Sequence, residues 1–439
     1  MKNLVANKNI LLAYYGDDFT GSTDALEFIT RAGAKAVLFT EPPTAAQLKA
    51  FPDLNAYGVA GKTRALPPDE MGKLLLPAFE QMKASGAKHI HYKVCSTFDS
   101  SPAIGSIGKA IDCGAAVFQN TIIPVLGGSP SLGRYCLYGN LFARMGIGSN
   151  GKIYRLDRHP SMSKHPVTPA DESDLRLHLG KQTNKKFGLI DVLQLDKPVG
   201  EWNTAIETDE EVILIDALYE SQLLKIGEWI DKLNDSTQFS VGGSGIEAAL
   251  GNYWNDKNWL TQKNKWNKVE KANPLLIIAG SCSPVTAGQI AYAKTNGFEE
   301  VVIDAVSICN DGGMNGDVLN EVNTLLQQQK NIIVHTGSKQ AENLSSKKIG
   351  TTLGIIAKGA IEKNSLKRVV IAGGDTSSYA ARAMEIDAVE IIAPVVSGAP
   401  LCKAYSTNKN IDGLEVNFKG GQVGGENYFV LMQKGSDEL

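Results

Sequence analysis

None of the six cysteines (95, 113, 136, 282, 309 and 402) stands in a Cys-x-x-Cys pair. That argues against a zinc site or a disulfide framework and for a reducing compartment. Apolar runs of bilayer-spanning length are also missing, which removes the integral membrane class. An excess of either charge is missing too: 44 basic residues face 47 acidic ones, a formal net charge of -3, so nothing points to nucleic acid or an anionic membrane as a partner. The basic opening, Met1 to Lys8, is followed by too short an apolar stretch for a signal sequence, and the expected location is the cytoplasm. The six histidines (89, 91, 159, 165, 178 and 335) are dispersed, and only His159 and His165, in an irregular stretch, invite attention.

What the chain does have is an ordinary globular composition, 43% hydrophobic and 21% charged, over a length that suits two domains. Apolar runs ending in small or polar residues recur at 36–40, 56–60, 89–94, 212–216, 275–280, 300–304, 331–336 and 368–372. Segments of helical spacing lie between them, for example 71–85, 316–329 and 350–363. Strands alternating with helices predict an α/β fold, a mostly parallel sheet flanked by helices in each of two domains. The polar, tryptophan-bearing stretch 253–273 is the expected linker, leaving domains 1–252 and 274–439. Residues 120–175, rich in Gly, Pro and basic residues, are expected to be long loops that help to shape a site.

The first apolar run stops at Gly16-Asp17-Asp18-Phe19-Thr20-Gly21. Ligands of open α/β sheets bind outside the carboxyl ends of strands, and this turn puts two acids, a hydroxyl and a helix start there. Paired acids suit a polyhydroxylated or metal-bound ligand and would repel a bare phosphate; the plainer alternative is that they end the strand and cap the helix. Gly61-Lys62-Thr63 imitates a Walker A loop, but Pro67-Pro68 follow too soon for the helix that such a loop requires. Lys62 and Arg64 then remain as either an anion anchor or solvated strand-end charges. The stretch Lys93-Val94-Cys95-Ser96-Thr97-Phe98-Asp99-Ser100-Ser101 combines a cation, a carboxylate and hydroxyls that could position a polyol acid, or form an ordinary solvated connection. Cys95 reads as a small buried residue, since no histidine motif accompanies it. Three glycine loops fall in the second half: Gly280-Ser281-Cys282-Ser283-Pro284, Gly373-Gly374-Asp375-Thr376-Ser377 and Lys419-Gly420-Gly421. Such loops let backbone N–H groups approach phosphate; tight βα turns are the structural alternative.

With those residues in place, the chain resembles the four-carbon acid sugar kinase family, ATP-dependent enzymes that phosphorylate threonate, erythronate, 3-oxo-tetronate and related short sugar acids. Asp17 to Gly21 is similar to the family's Asp-Asp-x-Thr-Gly opening, Thr63-Arg64 to its Thr-Arg pair, and Lys93 to Ser100 to a motif of the 3-oxo-tetronate branch. Gly242-Gly243-Ser244-Gly245 resembles the end of the substrate domain, and the three glycine loops resemble the nucleotide loops. The match is loose over 124–169 apart from Gly133-Arg134 and the run 165–169. Ser101, Ser106 and Gly420 to Val423 depart from the pattern, which opens a branched substrate such as 3-oxo-isoapionate beside a linear 3-oxo-tetronate. The resemblance implies a substrate shell of Asp17, Asp18, Arg64, Lys93, Asp99, Ser100 and Arg134. It implies an ATP shell of Ser281, Ser283, Gly373, Gly374, Asp375, Thr376, Gly420 and Gly421, with Mg²⁺ beside the phosphates and reaction in the cleft between domains. Asp18 is the first candidate for the base and Asp99 the second. A nicotinamide oxidoreductase would want Gly-x-Gly-x-x-Gly after its first strand; a sugar-binding protein without catalysis would need no nucleotide. The sequence leaves a homodimer open.

Overall fold

A computed structural model describes residues 10–145, 151–280, 283–311, 316–337 and 345–436. The chain divides into two compact units: residues up to Ala36 with Pro42–Lys263, and Val37–Glu41 with the chain from Asn264 onward.

The first unit is built on β1 (Leu12–Gly16), β3 (Ala56–Ala60), β4 (His89–Lys93), β5 (Ile123–Leu126), β9 (Phe187–Ile190), β10 (Val212–Ile215) and β11 (Gln238–Gly242). β2 (Ala36–Phe39) lies almost wholly in the segment assigned to the other unit. The order is β3-β1-β4-β11-β5-β10-β9, all parallel. Six of these strands, β1, β3, β4, β5, β10 and β11, are buried along their whole length, as expected of a parallel sheet covered on both faces. β1 lies between β3 and β4, so the chain builds to one side of β1 and returns to the other. That reversal makes the carboxyl ends of β1 and β4 a topological switch point, the usual ligand crevice of such sheets.

Residues 120–175 depart from the expected long loops. They supply β5 and a small antiparallel sheet, β6 (Arg134–Leu137), β7 (Asn140–Arg144) and β8 (Ile153–Arg155). Tyr138 and Gly139, both at positive φ (49° and 80°), make the two-residue turn between β6 and β7. Hairpins favour such a turn, but usually with Asn-Gly. Here buried Asp216 secures it, accepting the N–H groups of Tyr138 (2.6 Å) and Gly139 (2.9 Å). A tertiary contact thus replaces the local turn signal.

The second unit orders β13 (Phe298–Val302), β14 (Asn331–His335), β12 (Leu276–Ala279), β15 (Arg368–Ala372), β18 (Glu415–Lys419), β17 (Ala399–Tyr405) and β16 (Ala388–Val396), with β2 against β16. β12 to β15 and β18 are parallel; β16 and β17 form an antiparallel hairpin. β13 begins two residues before the expected run, directly after Gly297 at φ 86°. Here too the first strand, β12, stands between β14 and β15, so the loops after β12, β15 and β18 gather at a second switch point. Among the described residues, no helix is long and apolar enough to cross a membrane.

Candidate active site

At the switch point of the first unit the turn after β1 is locked to its neighbours by backbone bonds. Asp17 N–H donates to the Lys93 carbonyl (2.9 Å), Gly61 N–H to Gly16 (3.0 Å) and Arg64 N–H to Asp17 (3.0 Å). Asp18 caps the helix Phe19–Arg31: its Oδ1 accepts from Gly21 N–H at 2.7 Å, and its Oδ2 accepts from the Thr20 hydroxyl at 2.9 Å. Asp18 therefore fills the capping role. A buried carboxylate needs a cation, and Arg64 meets two. Its Nε and Nη2 clasp Asp17 at 3.0 and 2.6 Å, and Nη1 reaches Asp18 Oδ2 at 2.8 Å. Burial pushes the Asp17 carboxyl up, and Arg64 opposes that push.

Lys93, at the end of β4, is almost wholly buried. Its Nζ donates to the Val94 carbonyl (3.0 Å) and lies 3.9 Å from Asp24 Oδ2. A β-carbon built on Gly21 would lie 2.5 Å from Asp18 Oδ1, 3.4 Å from Lys93 Nζ and 3.5 Å from Arg64 Nη2. Three charged groups thus converge on one point that only glycine leaves open.

The loop after β4 is tightly built. Buried Phe98 sits at φ 54°, with its N–H bonded to the Cys95 carbonyl. Thr97 donates to Asp99 Oδ1 (2.6 Å), and among the described residues the half-buried Asp99 carboxylate takes no other hydrogen bond. The Ser100 hydroxyl is engaged inside the protein, donating to the Phe98 carbonyl (3.0 Å) and meeting His178 Nε2 (2.9 Å) and Gln182 Nε2 (3.0 Å). Burial pushes the Cys95 thiol up to about 11, so it is no thiolate at neutral pH. Arg134, at the start of β6, donates through Nε to Ser96 and through Nη1 to the Leu132, Gly133 and Arg144 carbonyls. It is buried yet pairs with no carboxylate among the described residues, and burial lowers its pKa. His159 and His165 only staple their own loop, accepting at Nδ1 from the backbone N–H groups of Met162 and Thr168.

Sequence reasoning passed over Asp24, two turns into the first helix and bonded by the Ser244 hydroxyl. Burial raises its carboxyl. The signal was present, since Asp24 stands three residues after Gly21 and so on the same helix face.

In the second unit Ser283 caps the helix Pro284–Thr295, its hydroxyl accepting from Val285 N–H and donating to the Gly421 carbonyl (2.7 Å). Thr286 donates to the same carbonyl (3.1 Å), and Gln289 Nε2 reaches the carbonyls of Val423, Gly424 and Gly425. The third glycine loop is thereby strapped to the first loop's helix. Gly373, at φ 124°, opens the helix Gly374–Ala383 and donates its N–H to the Lys419 carbonyl (2.9 Å); that φ belongs to glycine. A β-carbon on Gly280 would strike the Thr376 hydroxyl, so the first and second loops also touch. Ser281 and the Asp375 side chain lie outside the described residues. Three loops, two of them helix starts, converge as a phosphate cradle would require.

Comparison with known proteins agrees with both halves. Residues 12–250 match the sugar-binding N-terminal domain, and residues 276–429 the nucleotide-binding C-terminal domain. The chain is 38% identical to the 3-oxo-isoapionate kinase of Paraburkholderia graminis, over 97% of this chain and 94% of that one. The chain belongs to the four-carbon acid sugar kinase family. A 3-oxo-tetronate kinase of Methylobacterium radiotolerans is 27% identical over 96% of this chain and 98% of its own. The fold also matches a solved structure of Haemophilus influenzae protein HI1011, with a TM-score of 0.71 at 20% identity, covering 96% of this chain and 99% of that one. As a member of this kinase family, the chain is an ATP-dependent sugar-acid kinase.

Proposed function

We propose that this kinase acts in the cytoplasm on a 3-oxo sugar acid, with 3-oxo-isoapionate favoured over a linear 3-oxo-tetronate. The observation that carries the substrate class is the convergence of Asp18, Arg64 and Lys93 on the open point above Gly21, together with a buried Arg134 that pairs with no carboxylate among the described residues. The branched substrate is favoured by the name of the relative at 38% identity.

Arg64 is occupied by Asp17 and Asp18, so its role is to hold the acids in place. Arg134 and Lys93 are then the better partners for the substrate carboxylate, Arg134 because it has donors left after its backbone bonds. Asp18 hydrogen-bonds a substrate hydroxyl. Asp99, whose second carboxylate oxygen makes no hydrogen bond among the described residues, takes the proton as the hydroxyl oxygen attacks the γ-phosphorus and ADP departs with the bridging oxygen. The glycine loops at Ser283, Gly373-Gly374-Asp375-Thr376 and Gly420-Gly421 hold the polyphosphate, with Ser281 in the first of them. Mg²⁺ enters with ATP. No group of three His, Cys, Asp or Glu gathers among the described residues, and a magnesium ion carried mainly by phosphates and water needs no such cage.

The test is a coupled ADP-release assay over 3-oxo-isoapionate, 3-oxo-tetronate, threonate and erythronate. The proposal expects kcat/KM at least tenfold higher for the branched 3-oxo acid than for any linear one. Equal or higher turnover of a linear acid overturns the preference, and turnover of none of them overturns the substrate class.

A further inference from the structure

Burying a cation without an anion is costly, and among the described residues of the second unit two fully buried cations differ in this respect. Arg368, at the start of β15, is paired with Glu415, its Nε 2.7 Å from Oε2. Lys419, at the far end of the adjoining β18, has no carboxylate within ion-pair distance among the described residues. Its Nζ donates to the Thr286 hydroxyl (3.0 Å) and lies 5.7 Å from the centroid of the Tyr428 ring. Thr286 in turn donates to the Gly421 carbonyl, which also takes the Ser283 hydroxyl. The Lys419 carbonyl receives the Gly373 N–H. This lysine therefore stands behind all three converging segments, linked to the first through Thr286, to the second through its own carbonyl and to the third by sequence.

We propose that Lys419 is the charge-compensating lysine of the nucleotide site: its buried positive charge lies behind the glycine cradle and is balanced only when the polyphosphate of ATP occupies it. The inference rests on the assignment of the cradle to ATP. The unpaired charge has a measurable signature, because burial lowers the Lys419 ammonium to about 8, within reach of ordinary titration. A bound polyphosphate raises it again. Below about pH 8 the lysine is charged with or without nucleotide, and affinity is flat; above it the free protein must take up a proton to bind, and affinity falls.

The experiment is calorimetric titration of the full chain with Mg–AMP-PNP, ADP and adenosine, for the wild type, Lys419→Met and Lys419→Arg, from pH 6.5 to 9.5. The expected loss in Lys419→Met is about 30- to 100-fold for Mg–AMP-PNP, the interaction of one charge pair at roughly 6–8 Å and an effective dielectric near 20. It is smaller for ADP and absent for adenosine. Lys419→Arg retains most of the affinity and loses the decline above pH 8, since arginine stays charged. Equal losses for adenosine and Mg–AMP-PNP would make Lys419 a packing residue and overturn the proposal. So would unchanged Mg–AMP-PNP affinity in Lys419→Met. Failure of the wild type to bind any of the three nucleotides would instead refute the ATP cradle itself.

Discussion

Arg64→Met tests the central arrangement of the sugar-binding unit. Three charge-assisted bonds disappear, at 3.0 and 2.6 Å to Asp17 and at 2.8 Å to Asp18. Asp17 keeps a single donor, the Cys95 N–H at 3.3 Å. The side chains involved are 27% (Arg64), 5% (Asp17) and 15% (Asp18) exposed, so the pair is largely desolvated. Breaking a buried pair by removing one partner costs about 3–5 kcal/mol, and the part-exposed Asp18 puts the expectation at the lower end, about 3 kcal/mol. For a unit of this size that is a fall of about 6–12 °C in the midpoint, read by thermal unfolding followed at the tryptophans. The pH dependence has a definite sign. Asp17 already titrates above its usual value of 3.8 in the folded protein, and without Arg64 it moves higher. A carboxyl raised on folding is neutral in both states at low pH, so the deficit of Arg64→Met is small near pH 4. It grows as pH rises through the folded value and is then constant. Arg64→Met/Asp17→Asn should recover part of the loss at pH 7.5. A deficit below about 1 kcal/mol, or one that is independent of pH, would refute the view that Arg64 neutralises buried Asp17.

The parallel strands were legible because a strand covered on both faces is mostly apolar, and β1, β3 and β12 are buried at every position without a charged residue. The β16–β17 hairpin was not, because Pro394 interrupts its apolar run. The structure tolerates it where the register with β17 shifts between Ala393 and Val396, at the kind of bulge that admits proline. At the site, two acids at a strand end announced themselves, and Arg64 and Lys93 stand beside them as charge balance requires. What the sequence could not tell is which charges satisfy one another. Arg64 pairs with the acids before it while Arg134 pairs with none among the described residues, and that depends on a small sheet whose turn is held by Asp216, 77 residues beyond Gly139. Lys419 is a related case: the sequence shows it only as the residue that leads the third glycine loop, and its burial beside Thr286 is what makes its charge significant.

Arg134→Met should raise the KM for the sugar acid by about 10- to 100-fold, the loss of one charge-assisted bond, with the ATP KM unchanged; unchanged sugar-acid KM in steady-state kinetics would return Arg134 to a purely structural role. Asp99→Asn should lower kcat by about 10²–10⁴-fold with nucleotide binding intact, and Asp18→Asn should act chiefly on sugar-acid KM; the reverse pattern would exchange the two roles. Glu247→Gln addresses the buried pair beneath Lys93. Glu247 and His91 are fully buried 3.7 Å apart, and neither Glu247 oxygen nor His91 Nε2 has a hydrogen-bond partner among the described residues. Burial pushes Glu247 up to about 8 and His91 down to about 3. Between those values the folded protein holds a neutral acid facing a neutral imidazole. Because the folded value of Glu247 exceeds its unfolded value of 4.5, its contribution is whole below pH 4.5 and is lost as pH rises to 8. The amide of Glu247→Gln never ionises, so the variant should match the wild type near pH 4.5 and exceed it increasingly up to pH 8, by about 3–5 kcal/mol at most. Denaturant unfolding at a series of pH values measures the gap. A gap that stays constant with pH would mean that Glu247 is ionised and hydrated in the folded protein, and that the polar core under Lys93 is a charged pair.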